Sequence, residues 1–207
     1  MDTSYFTTGS RFIFLAGNHS LEQKLTLSDV SDITFEGDKD FSSTVITKRE
    51  AIFVFERIAQ LKIIKMIFLY NTTQSVAIFY LSNCYNVKVL SSTFQPSSIS
   101  NRCSAVLLSN TTLEMEYCFF QDNKGTSGAA IQSVNGSILL LNESYFIGNL
   151  AEAYGGAVLL KASHGILINN TFFNNKAFDG GAVYALSLGQ LKLTNGSKMA
   201  FKNNTGK

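Results

Sequence analysis

The chain has 207 residues, 45% of them hydrophobic and 15% charged, with a formal net charge of +2. That balance excludes a disordered tail, and scattered rather than clustered Lys and Arg give no electrostatic case for nucleic acid. No apolar stretch approaches the roughly 18 residues of a membrane span; the longest, Leu61 to Tyr70, is broken by Lys62 and Lys65.

One proline, fifteen glycines and abundant Asn, Ser, Thr and Phe predict many short strands joined by tight turns. From the N-terminus, Met1–Gly17 carries Asp2 and too short an apolar run for a signal peptide, so a secreted protein would start upstream of this sequence. Within residues 1–60, Leu25, Leu27, Ile33, Phe35, Ile52 and Val54 alternate with their neighbours. Period-two alternation means strands with one face inward, here one or two irregular coils of the architecture that follows. Asp29, Asp32, Glu36, Asp38 and Asp40 are the nearest approach to a calcium cage. They read as solvated turn carboxylates, and no metal is expected.

Residues 61–207 repeat. Phe68, Phe94, Phe120, Phe146 and Phe172 fall 26 residues apart, each followed three residues later by Asn71, Ser97, Asn123, Asn149 or Asn175. A sixth copy, Phe201 with Asn204, arrives three residues late. Upstream of each Phe, two columns hold Leu61, Val87, Leu113, Leu139, Gly165 and Ile63, Val89, Met115, Leu141, Leu167, with Leu191 and Leu193 in the sixth copy. The residues between and beside them (Lys62, Lys88, Glu114; Lys65, Ser91, Glu143) suit solvent. Downstream comes a small-residue motif: Gly128-Ala129-Ala130-Ile131, Gly155-Gly156-Ala157-Val158, Gly180-Gly181-Ala182-Val183. Ser104-Ala105-Val106 and Val76-Ala77-Ile78 take that place in earlier copies. Small residues there fit a crowded turn into the next strand.

A 26-residue unit of two or three short strands has no face it can bury alone. Stacking solves this, with like columns one strand spacing, roughly 4.8 Å, apart. Phe then packs on Phe, and Asn amides bond along the stack, which keeps buried polar groups paired. The fold class is therefore all-β: a right-handed parallel β-helix of about seven coils, read as part of a longer solenoid because the sequence stops where another Gly-Gly-Ala motif is due. Leucine-rich and helical repeats lack their required patterns here.

Phe146–Asn149 with Gly155–Val158, and Phe172–Asn175 with Gly180–Val183, resemble the Phe-x-x-Asn and Gly-Gly-Ala-(Ile/Leu/Val) repeat of the chlamydial polymorphic outer membrane proteins. The resemblance covers roughly residues 61–207. It implies a β-helix passenger acting as an adhesin at a cell surface, and it names no catalytic residue. The sequence departs from that family in carrying no membrane β-barrel segment. Asn-x-Ser/Thr occurs at Asn18, Asn71, Asn110, Asn135, Asn142, Asn169, Asn195 and Asn203, against about three expected by chance. This favours a eukaryotic secretory glycoprotein, with Asn71 excepted because a glycan does not fit inside the ladder.

Catalytic candidates are sparse. Ser163-His164-Gly165 faintly matches a polygalacturonase histidine motif, without the Asp cluster or Arg-x-Lys that chemistry needs. His19 lies inside a sequon. Glu114 and Glu116 share an outward face as glycosidase carboxylates do, but Lys88 stands in the Glu114 column and predicts a cross-strand ion pair. Of the three cysteines, Cys84 and Cys103 allow a bridge, free buried thiols being the alternative, and Cys118 is left over; no zinc spacing is present. Tyr117, Phe119 and Tyr145 fall at neighbouring outward columns and predict an exposed aromatic patch. The expected function is non-catalytic extracellular recognition, adhesion or scaffolding, with carbohydrate or a cell-surface protein as partner, no cofactor, no nucleic acid and no membrane insertion by this segment. The alternative is a polysaccharide lyase or glycoside hydrolase whose active coils lie outside it.

Overall fold

A computed structural model describes residues 7–40, 43–48, 52–71, 77–96, 104–194 and 198–206. Among the described residues there is no helix, and every strand pairing is parallel. Three sheets run the length of a solenoid. Sheet A stacks Ser10–Ile13, Asp32–Glu36, Gln60–Ile64, Asn86–Leu90, Thr112–Glu116, Ile138–Asn142, His164–Ile168 and Gln190–Leu193. Sheet B stacks Gly17–Leu21, Ser43–Lys48, Ile67–Asn71, Thr93–Pro96, Phe119–Gln121, Tyr145–Ile147, Thr171–Phe173 and Ala200–Lys202. Sheet C stacks Leu25–Ser28, Phe53–Glu56, Phe79–Ser82, Val106–Ser109, Ile131–Val134, Val158–Lys161 and Val183–Leu186. The chain visits A, B and C in turn, making seven full coils and the first two strands of an eighth.

The repeat columns become the core. Leu61, Val87, Leu113 and Leu139 stack in register on sheet A, as do Ile63, Val89, Met115, Leu141 and Leu167, and all are buried. On sheet B the phenylalanine rings lie nearly parallel, with centroids 4.8 Å apart for Phe94–Phe120, 5.0 Å for Phe120–Phe146 and 4.7 Å for Phe146–Phe172. That separation is the strand spacing itself, so the sheet ladder and the aromatic stack satisfy one geometry; each ring pair adds about 0.5–1.5 kcal/mol beyond its burial.

Polar residues turn the corners. At the B-to-C side, Asn149 Oδ1 accepts from Asn123 Nδ2 (2.7 Å) and from its backbone N–H (3.2 Å), while Asn149 Nδ2 donates to Asn175 Oδ1 (2.8 Å) and the Phe120 carbonyl (3.1 Å). Asn175 repeats the pattern with Asn204. The side chain of Asn71 and all of Ser97 lie outside the described residues. Two further ladders carry no obvious sequence mark. At the A-to-B corner, Ser92, Ser144 and Asn170 accept the backbone N–H of Met66, Cys118 and Ser144, and at the C-to-A corner Thr111 and Ser137 accept those of Cys84 and Thr111. Cys118 and Cys84 sit in these hydroxyl columns and direct their thiols at the Val89 and Phe55 carbonyls (3.3 and 3.4 Å), as weak donors in place of Ser or Thr. Both are free and buried; Cys103 lies outside the described residues.

Three details differ from the sequence pattern. In the run Ile52-Phe53-Val54-Phe55 it is Phe53 and Phe55, paired with Leu25 and Leu27, that join the main core; Val54 is buried outside that cluster and Ile52 half-buried. A continuous apolar run gives period-two alternation no phase to choose between. The peer of Ser104-Ala105-Val106 is Ala77-Ile78-Phe79, one residue later than expected, because Phe79 pairs Val106; the loop into sheet C varies in length while the columns from Leu61 on sheet A and from Phe68 to Phe172 on sheet B hold their period. Asp29 is an exposed turn carboxylate as expected, held in a surface ion pair, whereas Asp32 and Glu36 lie half-buried in a sheet A strand and not in a turn. Arg57 grips Asp29 with two bonds of 2.6 and 2.7 Å and holds its carboxyl below the usual range, and Arg11 Nε bonds Glu36 at 3.0 Å.

Gly165 breaks the Leu139 column, and the gap is filled from sheet C: a Cβ there would meet Leu160 Cδ1 at 2.6 Å. Gly165→Leu alone is expected to overpack the coil and destabilise it by about 1–3 kcal/mol. Combined with Leu160→Ala it should recover most of that loss, a non-additivity readable in a double-mutant cycle of urea midpoints.

Candidate binding face

Sheet B strands in the fifth to seventh coils are only three residues long, so each buries its central Phe and sends the flanking pair outward. Outward columns therefore form: Thr93, Phe119, Tyr145, Thr171 and, beside it, Gln121, Ile147, Phe173. Phe119 and Tyr145 are register partners with ring centroids 6.2 Å apart. Tyr145 is 48% exposed and Tyr117 52%.

Tyr117 stands at the A-to-B corner, where the chain must reverse tightly. Lys65, Ser91, Tyr117, Glu143 and Asn169 all take left-handed φ values there, 56°, 49°, 53°, 45° and 55°. Asn adopts this region readily and a bulky aromatic does not. The negative charge of Glu143 in the next coil raises the Tyr117 pKa. Glu143, Tyr145, Asn169, Thr171 and Lys198 then line an open depression of about 500 Å³ next to the aromatic patch. Of these five, Tyr145 belongs to the patch the sequence predicts, Asn169 is a predicted glycosylation site and Glu143 a predicted solvent-facing residue, while Thr171 and Lys198 carry no expectation. The available signal was the 26-residue step from Glu143 to Asn169, followed by the same 29-residue step to Lys198 that separates Phe172 from Phe201.

The remaining candidates are scattered. Lys88 Nζ lies 2.7 Å from Glu114 Oε2 in the predicted cross-strand ion pair, and Glu116 accepts from Asn142 Nδ2 at 3.1 Å. His164 is exposed as the first residue of its sheet A strand. His19 bonds the Leu15 carbonyl at 2.8 Å and meets the Phe14 ring edge-on. Among the described residues no three His, Cys, Asp or Glu side chains converge as metal ligands. Burial pushes the Cys118 thiol up to about 12 and raises that of Cys84, so neither is a nucleophile at neutral pH.

Of the sequon asparagines, Asn18, Asn110, Asn135 and Asn203 are exposed, and Asn142 and Asn169 are half-buried. Asn110 Nδ2 donates to Asn83 Oδ1 and Asn135 Nδ2 to Ser109 Oγ. Asn195 lies outside the described residues. Among the described residues no helix is long and apolar enough to cross a membrane. Comparison with protein-family models, with curated proteins and with solved structures finds no match to this chain.

Proposed function

We propose that this β-solenoid is a non-catalytic extracellular recognition domain whose outer sheet B face, centred on Tyr117, Phe119 and Tyr145, binds a surface glycan. One observation carries the reading: an aromatic held in left-handed backbone at the corner of an exposed aromatic patch. The corner imposes that conformation at each step from Lys65 to Asn169, and a bulky aromatic there costs of order 1–2 kcal/mol, where Asn would fit readily. Rings presented in this way stack on the apolar faces of sugars. The motif resemblance to chlamydial surface repeats and the density of sequons support a cell-surface location.

The test is a polysaccharide panel scored for retained glycan and for newly released sugar ends. Tyr145→Ala should abolish retention. Tyr117→Asn should also weaken it, yet leave the melting temperature unchanged or slightly raised, since Asn suits the left-handed corner. Released ends that vanish in Glu114→Gln/Glu116→Gln would establish the lyase or hydrolase instead. Silence in both channels would leave a protein partner or a passive scaffold.

A further inference from the structure

The corner beside the aromatic patch carries an ordered set of groups. Glu143, Asn169 and Lys198 follow one another along one edge over three successive coils, with Tyr145 and Thr171 alongside, and the five line a single depression. Two coil spacings separate the carboxylate end from the ammonium end, roughly 10 Å. One pyranose ring with its substituents fills such a span. The ends are chemically distinct. Glu143 is a half-buried carboxylate that can accept from ring hydroxyls. Asn169 spends its Oδ1 on the Lys198 backbone N–H at 2.8 Å, which leaves its Nδ2 as a donor. Lys198 forms no ion pair with the described residues.

Resting on the glycan-binding reading, we infer that this depression is a subsite for a carboxylate-bearing pyranoside. The ring lies against Tyr145, ring hydroxyls donate to Glu143 and accept from Asn169 and Thr171, and the sugar carboxylate meets Lys198. A neutral hexoside satisfies the first two sets of contacts and leaves the ammonium unmatched, so the lysine sets selectivity while the tyrosine sets affinity. Asn169-Asn170-Thr171 is also a sequon, so a glycan on Asn169 would fill the depression, and the site requires that asparagine unmodified.

The experiment is a titration of the full chain with methyl glucuronide, methyl sialoside and methyl glucoside, with Asn169 occupancy read by peptide mass spectrometry. At least one acidic sugar should bind about tenfold tighter than the glucoside, the size of one charge-assisted contact. The choice between glucuronide and sialoside reports which carboxylate source fits. Lys198→Ala should erase the preference and Lys198→Arg should restore it. Tyr145→Ala should weaken acidic and neutral sugars alike, and Tyr85→Ala, at another corner, neither. Equal binding of all three sugars, a preference surviving Lys198→Ala, or full glycosylation of Asn169 would overturn this subsite while leaving glycan retention on the aromatic patch intact. Loss of all sugar binding, polysaccharides included, would overturn both.

Discussion

Asn149→Ala is expected to lower the unfolding free energy by about 3–5 kcal/mol, seen as a large drop in the urea midpoint. The residue serves both neighbouring coils. Its loss leaves the buried Asn123 N–H without the acceptor at 3.2 Å and takes a donor from the Phe120 carbonyl. Each unsatisfied buried group costs about 1–3 kcal/mol, and the vacated space adds a cavity cost. Asn149→Asp separates hydrogen bonding from packing, because it keeps the shape and loses the donor. An ionised carboxylate there would face Asn175 Oδ1 and the Phe120 carbonyl, both acceptors, so its folded pKa rises above the unfolded value of about 3.9. That variant should be most stable below the unfolded pKa and lose stability as pH climbs from there to the folded pKa. A flat pH profile would mean that packing, not the amide ladder, sets the cost.

Gly156→Ala should be comparably damaging, about 3–5 kcal/mol, for a different reason. A methyl there would lie 2.0 Å from the Gly181 carbonyl oxygen and 2.7 Å from the Lys176 amide nitrogen, both backbone atoms of the next coil. No rotamer change relieves such a contact, so the coils must part, straining the bonds from Gly156 to Gly180 and from Ala157 to Ala182. Ala129, in the same column one coil earlier, is accommodated in a cluster with Ala151 and Ala177. The control is Gly136→Ala, where φ is 76° but nothing lies within 4 Å; only the backbone preference of about 1 kcal/mol should be lost. Thermal unfolding of the two variants side by side distinguishes a clash from a conformational preference.

The inward columns are legible in sequence because stacking demands the same solution in every coil. Phe120 and Phe146 repeat since each must match the ring above and below, and Asn149 repeats since an isolated buried amide would be unpaired. What escapes the pattern is whatever each coil solves differently. The corner ladders mix Ser, Thr, Cys and Asn, because a hydroxyl, a thiol and an amide can all occupy that position. The Leu160–Gly165 exchange crosses two sheets, and no single column records it. The phase of Ile52–Phe55 is lost in a run where every residue is apolar. The depression at Glu143, Asn169 and Lys198 is hidden because outward residues need not repeat from coil to coil as buried ones must, and the last step of that column is three residues longer than the rest.

The Asn ladder has a direction. Asn123, Asn149 and Asn175 each donate from Nδ2 to the Oδ1 of the next asparagine, so with Asn204 they form a head-to-tail row. Such a row is a vector, and its two ends are electrically unlike: the unpartnered, buried Asn123 Oδ1 leads at one, and the Asn204 amide nitrogen lies at the other. A coil inserted upside down would oppose oxygen to oxygen and nitrogen to nitrogen at once. The ladder thus favours coils that all run in one sense, so polarity as well as shape must match where one coil meets the next.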